Sequence, residues 1–256
     1  MQPLDLPHRL ERTVLINAKP STVFAFLTET PHWAAWWGAG STIDPKAGGK
    51  IYIRHANGVE SLGQVLELDP PQRIVFSYGF ASGKPIPPGS SRVTIHLEPH
   101  ESGTRLHLLH EFADAGARDE HVQGWRFQLS LFSNLVTNEV FAGAANTVDA
   151  WFKAWVTEDA PTRDEMLAAI ASPTIRFRDR FSLLDGIADL SAHIAASHRF
   201  MPGVALQRKG EIRHCQGIVL ADWVAARDGK ELMTGTSVFT FGPDGKIDSV
   251  TGFTNK

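Results

Sequence analysis

Apolar positions along the first half of the chain change period in an informative order. Val14-Leu15-Ile16 predicts a short strand, broken by Ala18-Lys19-Pro20-Ser21. Val23, Phe24 and Leu27 then recur at helical spacing, with Ser21 available as an N-cap, so a short helix is expected to end near Pro31. From Gly48-Gly49 the period falls to two. Strands are predicted over Lys50–His55, Ser61–Leu68, Arg73–Phe80, Ser91–Glu98 and Thr104–Glu111, separated by Asn57-Gly58, Asp69-Pro70-Pro71, the Pro/Gly-rich Ser82–Gly89 and Pro99–Gly103. This is an antiparallel meander. Trp125, Leu129, Phe132, Leu135 and Val136 then mark one face of a long helix over Val122–Val140, around which a curved sheet is expected to wrap.

A second pattern follows. Asn146 or Thr147 can cap a helix carrying Val148, Trp151, Phe152 and Trp155, and Thr162-Arg163-Asp164-Glu165 reads as a capping box that opens another helix, ending near Ala171. Thr174–Phe181 is a strand and Ile187–Phe200 a third helix. Long strands over Ala205–Cys215, Ile218–Ala226 and Glu231–Phe241 lead to a last one, Ile247–Phe253, with turns at Asp228-Gly229 and Asp244-Gly245. The fold class is α+β. Two domains are expected, over residues 1–140 and 141–256, joined near Phe141 without a flexible linker and so either packed together or sharing a nearly continuous helix.

Composition narrows the function classes. With 256 residues and 43% hydrophobic residues, the chain can bury two cores. A net charge of −3, with both signs scattered, supplies no basic stripe for a phosphate backbone, and nucleic acid is not an expected partner. The single cysteine, Cys215, excludes an intrachain disulfide framework and suits a reducing compartment. Met1–Arg12 carries Asp5, Glu11 and two prolines instead of a basic and then apolar leader, and no window of about 18 apolar residues follows. A cytoplasmic protein with no membrane association is expected.

The ordered series Ile16-Asn17-Ala18, Val23-Phe24, Trp36-Trp37-Gly38, Gly48-Gly49-Lys50, Gly63-Gln64-Val65 and Pro70-Pro71 resembles the activator-of-Hsp90-ATPase-like (AHSA1-like) branch of the START/Bet v 1 superfamily, also called SRPBCC. Gly103-Thr104-Arg105-Leu106, His110-Glu111-Phe112 and Gly124-Trp125 complete it. The resemblance implies a helix-grip fold, an antiparallel sheet around a long C-terminal helix. The second half resembles the SnoaL-like branch of the NTF2-like superfamily through Phe177-Arg178-Asp179, Gly186, Gly217–Trp223, Asp228-Gly229, Gly235 and Asp244-Gly245-Lys246-Ile247. That implies a cone-shaped α+β barrel enclosing a cavity.

Both resemblances direct attention to pockets. In a helix-grip fold Trp33, Trp36, Trp37 and Trp125 border the pocket mouth, where amphipathic aromatics suit an apolar ligand; the alternative is that they are plain core. Alternation from Leu106 puts His110 on the face of Leu108, as a polar anchor or general base if it meets the cavity and as a structural histidine otherwise. Neither His96 with His100 nor His107 with His110 has a third ligand at a metal-site spacing, so no metal is expected.

In the SnoaL-like half, Asp179 stands where ketosteroid isomerase and its relatives carry the carboxylate that removes a proton next to a carbonyl. Ser237 occupies the place of the oxyanion-stabilising acid, and the first helix offers Trp151 and Phe152 where a tyrosine hydroxyl is wanted. Asp179 can equally be a turn cap or an ion pair with Arg178 or Arg180. Even spacing separates His214 and Asp222 from Trp223, the resemblance placing Trp223 inside, unless a bulge intervenes. His193 and His198 are five apart and do not align as a ligand pair.

The leading expectation is a protein that binds a small aromatic, lipid-like or polyketide-like molecule in one or both pockets, needing no cofactor. A cofactor-independent isomerase, cyclase or hydratase using Asp179 is the first alternative, and protein-partner binding of the Hsp90 type the lowest-ranked. NTF2-like relatives imply a possible homodimer through the open sheet face, with Val238 or Phe239 at the interface.

Overall fold

The computed structural model describes residues 5–255; the outer bounds of the two expected domains, Met1 and Lys256, lie outside the described residues. The chain divides into two compact units, residues 1–136 and 137–256.

In the first unit, β1 (His8–Ile16) leads to α1 (Pro20–Thr28) and α2 (Thr30–Trp37). Pro31 does not end the first helix: it lies in the first turn of the second, where a missing N–H costs nothing. Nor is Ser21 the cap of α1, since Lys19 precedes the helix without a side-chain bond and Pro20 opens it. The strands β2 (Thr42–Ile43), β3 (Lys50–Arg54), β4 (Glu60–Asp69), β5 (Arg73–Tyr78), β6 (Ser91–His100) and β7 (Gly103–Phe112) follow, then α3 (Ala115–Val140). They form a seven-stranded antiparallel sheet in the order β1-β7-β6-β5-β4-β3-β2, the first strand returning to pair with the last. This is the helix-grip arrangement. Trp125, Leu129, Phe132 and Val136 make the buried stripe of α3, and Phe132 meets Phe26 and Trp36 edge-on. Trp33, Trp36 and Trp37 are all buried, each contributing on the order of 4–6 kcal/mol by area.

In the second unit α4 (Ala144–Val156) is preceded by Gly143, so neither Asn146 nor Thr147 caps it. The α5 helix (Ala160–Ile170) is capped by Asp159, which accepts from the Thr162 N–H; the cap thus sits three residues before the expected box. After β8 (Ala171–Arg178) and a short β9 (Leu183–Asp185) comes α6 (Gly186–Phe200), then β10 (Ala205–Cys215), β11 (Ile218–Arg227), β12 (Lys230–Phe241) and β13 (Ile247–Thr254). The sheet order is β10-β11-β12-β13-β8-β9, antiparallel except for β13 with β8. The unit has the NTF2-like α+β architecture, but the sheet does not close into the expected barrel: β10 and β9 remain its edges. Helices close the concave side instead, α4 packing on β10 and α6 on β8.

Register fixes which side chains face that concavity. Ser237, Phe239 and Phe241 alternate with Val238 along β12, and Phe239 is fully buried with its ring against Trp151 and Phe152. Phe239 therefore belongs to the interior and not to an interface. Between Lys209 and Arg213 the β10–β11 pairing slips, Lys209 opposing Asp222 but Arg213 opposing Leu220. This bulge, with Gly210 at φ 75, lets His214 pair with Val219 on the inner face while Asp222 stays outside, bonded to Thr236 at 2.6 Å. No helix among the described residues is long and apolar enough to cross a membrane.

Candidate functional sites: one cavity in each unit

The first cavity, about 640 Å³, lies between the C-terminal end of α2, the β3–β4 turn, β5 and α3. Trp36, Trp37 and Trp125 line it, with Tyr78, Phe80, His55 and His121. The Trp36 indole N–H is already engaged, donating to the Phe26 carbonyl at 3.0 Å, and the Trp36 carbonyl accepts from the Gln128 amide. Trp37 is the junction of the aromatic wall. Its ring stacks near Tyr78 at 6.3 Å and meets His55 and Trp125 edge-on at 5.6 and 5.7 Å.

His110 does not line this cavity. It is fully buried behind Trp125, which donates its indole N–H to His110 Nδ1 at 2.9 Å. The other ring nitrogen lies 2.8 Å from Ser91 Oγ, whose hydroxyl donates to the Tyr78 carbonyl at 2.9 Å. An acceptor at Nδ1 requires the hydrogen on Nε2, so the chain runs Trp125 N–H to His110 to Ser91 to the β5 backbone, with the imidazole neutral. Burial holds its pKa well below 6.5, and nearby His121 pushes the same way. His110 positions Trp125, as a residue with no free ring nitrogen must.

Three further polar groups on the wall were not singled out in the sequence. His55 Nε2 is 3.1 Å from Ser61 Oγ, which in turn donates to the Tyr78 phenol at 3.1 Å. Burial pushes the Tyr78 pKa up to about 12, outweighing the pull of Ser61, so Tyr78 keeps its proton. His121 bonds the Ala117 carbonyl through Nδ1 at 2.6 Å. A carbonyl only accepts, so the hydrogen is on Nδ1 and Nε2 presents a lone pair. His55 and His121 are both shifted down, first by burial, so both imidazoles stay neutral near neutral pH, while Glu120 on the same wall is the acidic group.

The second cavity, about 490 Å³, is enclosed by α4, α6 and the concave face of the sheet. Trp151, Trp223, Ser237 and Asp179 all line it. Trp223 lies flat on Gly235, its cross-strand partner: a Cβ there would sit 2.2 Å from the indole. Asp179 is half-buried. Its Oδ1 accepts the Phe181 N–H at 2.8 Å, so the carboxylate caps its own turn and lines the cavity at once. Gly252 lies between Asp179 and Ser237; a Cβ added there would be 3.4 Å from the Asp179 Cβ and 3.9 Å from Ser237 Oγ. Sequence reasoning gave His193 and Trp155 no place at the site, the first set aside as half of a ligand pair and the second read only as a helix-face residue, yet both are on the wall. His193 Nε2 is 3.1 Å from Ser182 Oγ, and the buried Trp155 indole N–H has no partner among the described residues. Their signal was available as the inward stripes of α4 and α6.

Residues 17–137, a little under half the chain, match the family described as activator of Hsp90 ATPase homolog 1-like protein. A candidate isomerase of the SnoaL-like family from Agrobacterium tumefaciens is 24% identical, covering 46% of this chain and 99% of its own, with a TM-score of 0.42. The Aha1 dimer from Colwellia psychrerythraea is 19% identical over 48% of this chain and 92% of its own, TM-score 0.42. A protein from Rhodobacter sphaeroides is 25% identical over 53% and 92%, TM-score 0.44. No curated relative matches the chain.

Proposed function

We propose that this fusion of an AHSA1-like domain and a SnoaL-like domain of NTF2 type is a cytoplasmic binding protein for small apolar molecules, with one working pocket in each domain. The observation that carries the reading is the pair of cavities, each of a size that holds a small molecule and each walled by aromatic rings with few polar atoms. In the first, the rings are held in place by hydrogen bonds that do not involve a ligand, such as Trp125 to His110 and Trp36 to Phe26. Such a wall is preorganised, and a ligand entering it loses little to reordering of the protein. The test is native mass spectrometry of the full-length chain followed by denaturing extraction, with titration of aromatic and lipid-like probes. Retained or titrating ligands at up to two per chain are expected. Empty protein that binds no apolar probe at its solubility limit refutes the reading.

One observation favours a second role for the SnoaL-like domain. Asp179, a carboxylate on an apolar wall, shares its cavity with the hydroxyl-bearing Ser237. That pair supports proton removal beside a carbonyl, with the carboxylate as base and the hydroxyl as donor to the enolate oxygen. Asp179→Asn keeps an oxygen for the Phe181 N–H and so spares the turn. In a proton-transfer enzyme it lowers turnover by about 10²–10⁴-fold; unchanged turnover removes Asp179 from the mechanism.

A further inference from the structure

The wall of the second cavity carries one carboxylate and no basic side chain to match it. None of the residues lining it is a lysine or an arginine; Asp179 is its only acid, and His193 its only other ionisable residue. A carboxylate drawn half out of water is normally compensated by a counter-charge. Asp179 has none. No ion pair joins it to Arg178, to Arg180 or to any other cation among the described residues. Arg178 is exposed, on the opposite face of β8 by alternation from the buried Phe177. Arg180 holds its guanidinium over the ring of Phe181, itself 77% exposed, 5.6 Å from the centroid. Both charges lie in solvent, where screening is strongest.

The two oxygens of Asp179 differ. Oδ1 accepts the Phe181 N–H at 2.8 Å and is committed to the turn. Oδ2 makes no hydrogen bond with the described residues, yet it is not a sealed atom: it keeps accessible surface on a side chain that lines the cavity. One acceptor of full negative character is therefore open to a ligand, and it needs no rearrangement of the turn to be used.

The rest of the wall is of the kind that favours a cation out of water. Trp151, Trp155 and Phe177 form one aromatic cluster, with centroids 6.0, 6.0 and 5.2 Å apart. Phe177 precedes Asp179 by two residues, and both side chains line the cavity, as does a third indole, that of Trp223. Aromatic faces attract ammonium groups through the ring quadrupole, indoles most strongly, and the attraction grows with desolvation. They offer a second carboxylate nothing, and Asp179 repels it.

We propose that the second cavity selects apolar molecules that carry a protonated amine, the ammonium pairing with Asp179 Oδ2 and the hydrocarbon packing on the indole and phenyl rings. This rests on the apolar-ligand reading of that cavity and narrows it to amines; it does not depend on Asp179 acting as a base. An alkylammonium is a far weaker acid than a carboxylic acid, so the proton stays on the amine and the ligand is held unchanged.

The experiment is calorimetric titration of the full chain at pH 7.5 with three probes of similar shape: 2-naphthylmethylamine, 2-naphthylmethanol and 2-naphthoate. The amine is expected to bind about tenfold or more tightly than the alcohol, with 2-naphthoate the weakest. Asp179→Asn, which keeps an oxygen for the Phe181 N–H, should weaken the amine by about tenfold or more and leave the alcohol unmoved, which assigns the preference to this cavity and not to the first. Asp179→Ser, whose hydroxyl can also cap the turn, gives the same readout should the amide disturb folding. Equal binding of amine and alcohol overturns the ammonium assignment while leaving an apolar pocket intact. A preference for the amine that survives both variants overturns it too, as does tighter binding of 2-naphthoate. Failure of every probe to bind overturns the apolar-ligand reading of this cavity together with it.

Discussion

Lowering the pH should weaken the first domain through its buried histidines, and the size of the effect follows from His110. In the unfolded chain this imidazole titrates near 6.5; in the fold, burial and His121 hold it well below that. The folded state therefore binds fewer protons than the unfolded one once pH falls under 6.5. Stability is complete above that value and is lost on the way down to the folded pKa, at about 1.4 kcal/mol per pH unit for one group. His110 alone accounts for about 1.4 kcal/mol between pH 7.5 and 5.5. His55 and His121 shift in the same direction but are partly exposed, so their shares are smaller, giving a sum of about 1.4–4 kcal/mol. The assay is hydrogen–deuterium exchange in a urea series at pH 7.5, 6.5 and 5.5, reading peptides from β6 and β7 so that this domain is followed by itself. His110→Leu is the control. It strands the Trp125 N–H at a cost of about 1–3 kcal/mol at pH 7.5, yet flattens the acid slope by the share of one group. A first domain whose stability is level from pH 7.5 to 5.5, or an acid slope unchanged by His110→Leu, refutes the reasoning.

Two further outcomes concern the second domain. Arg163 is 2% exposed and donates to Ser191 and to the carbonyls of Thr157 and Glu158, so Arg163→Met should cost about 2–4 kcal/mol in urea unfolding read from α5 and α6 peptides. A loss under about 1 kcal/mol shows that these bonds are replaceable by water. Gly235→Ala places a methyl 2.2 Å from both the Trp223 ring and the Phe253 carbonyl. It should displace Trp223, lower stability and quench or shift the Trp223 fluorescence, with first-domain ligand binding unchanged; an unperturbed Trp223 signal counts against the packing described.

Most of the fold was legible because periodicity and turn chemistry agree over long stretches: the β3-to-β7 meander and the last four strands have Gly, Asn, Asp or Pro at nearly every reversal. Errors gathered where a local signal has two physical uses. Pro31 stops one helix by the rule for interiors and starts another by the rule for first turns. Thr162 looks like a cap, but the carboxylate of Asp159 reaches its N–H first. Closure of the second sheet was not legible, since closure depends on whether β10 and β9 meet, and with α6 running between these consecutive strands no turn chemistry marks whether they pair. At the sites, Trp36, Trp37 and Trp125 line the first cavity as expected of its aromatics, whereas Trp33, expected beside them, is fully buried and outside the lining, because spacing near a helix end does not separate wall from core. His110 could not. Its face is given by alternation, but whether a ring nitrogen is free depends on Trp125 and Ser91, 15 and 19 residues away.

That dependence also separates the two cavities by chemistry. In the first, burial lowers the pKa of His55 and His121 on the wall, and the one carboxylate there is that of Glu120. In the second, the wall carries the half-buried carboxylate of Asp179 and the hydroxyl-bearing Ser237, so an acceptor of protons and a hydrogen-bonding side chain line one space. The proton-transfer role proposed for Asp179 therefore belongs to the second cavity, and apolar-ligand binding is the whole of the role proposed for the first.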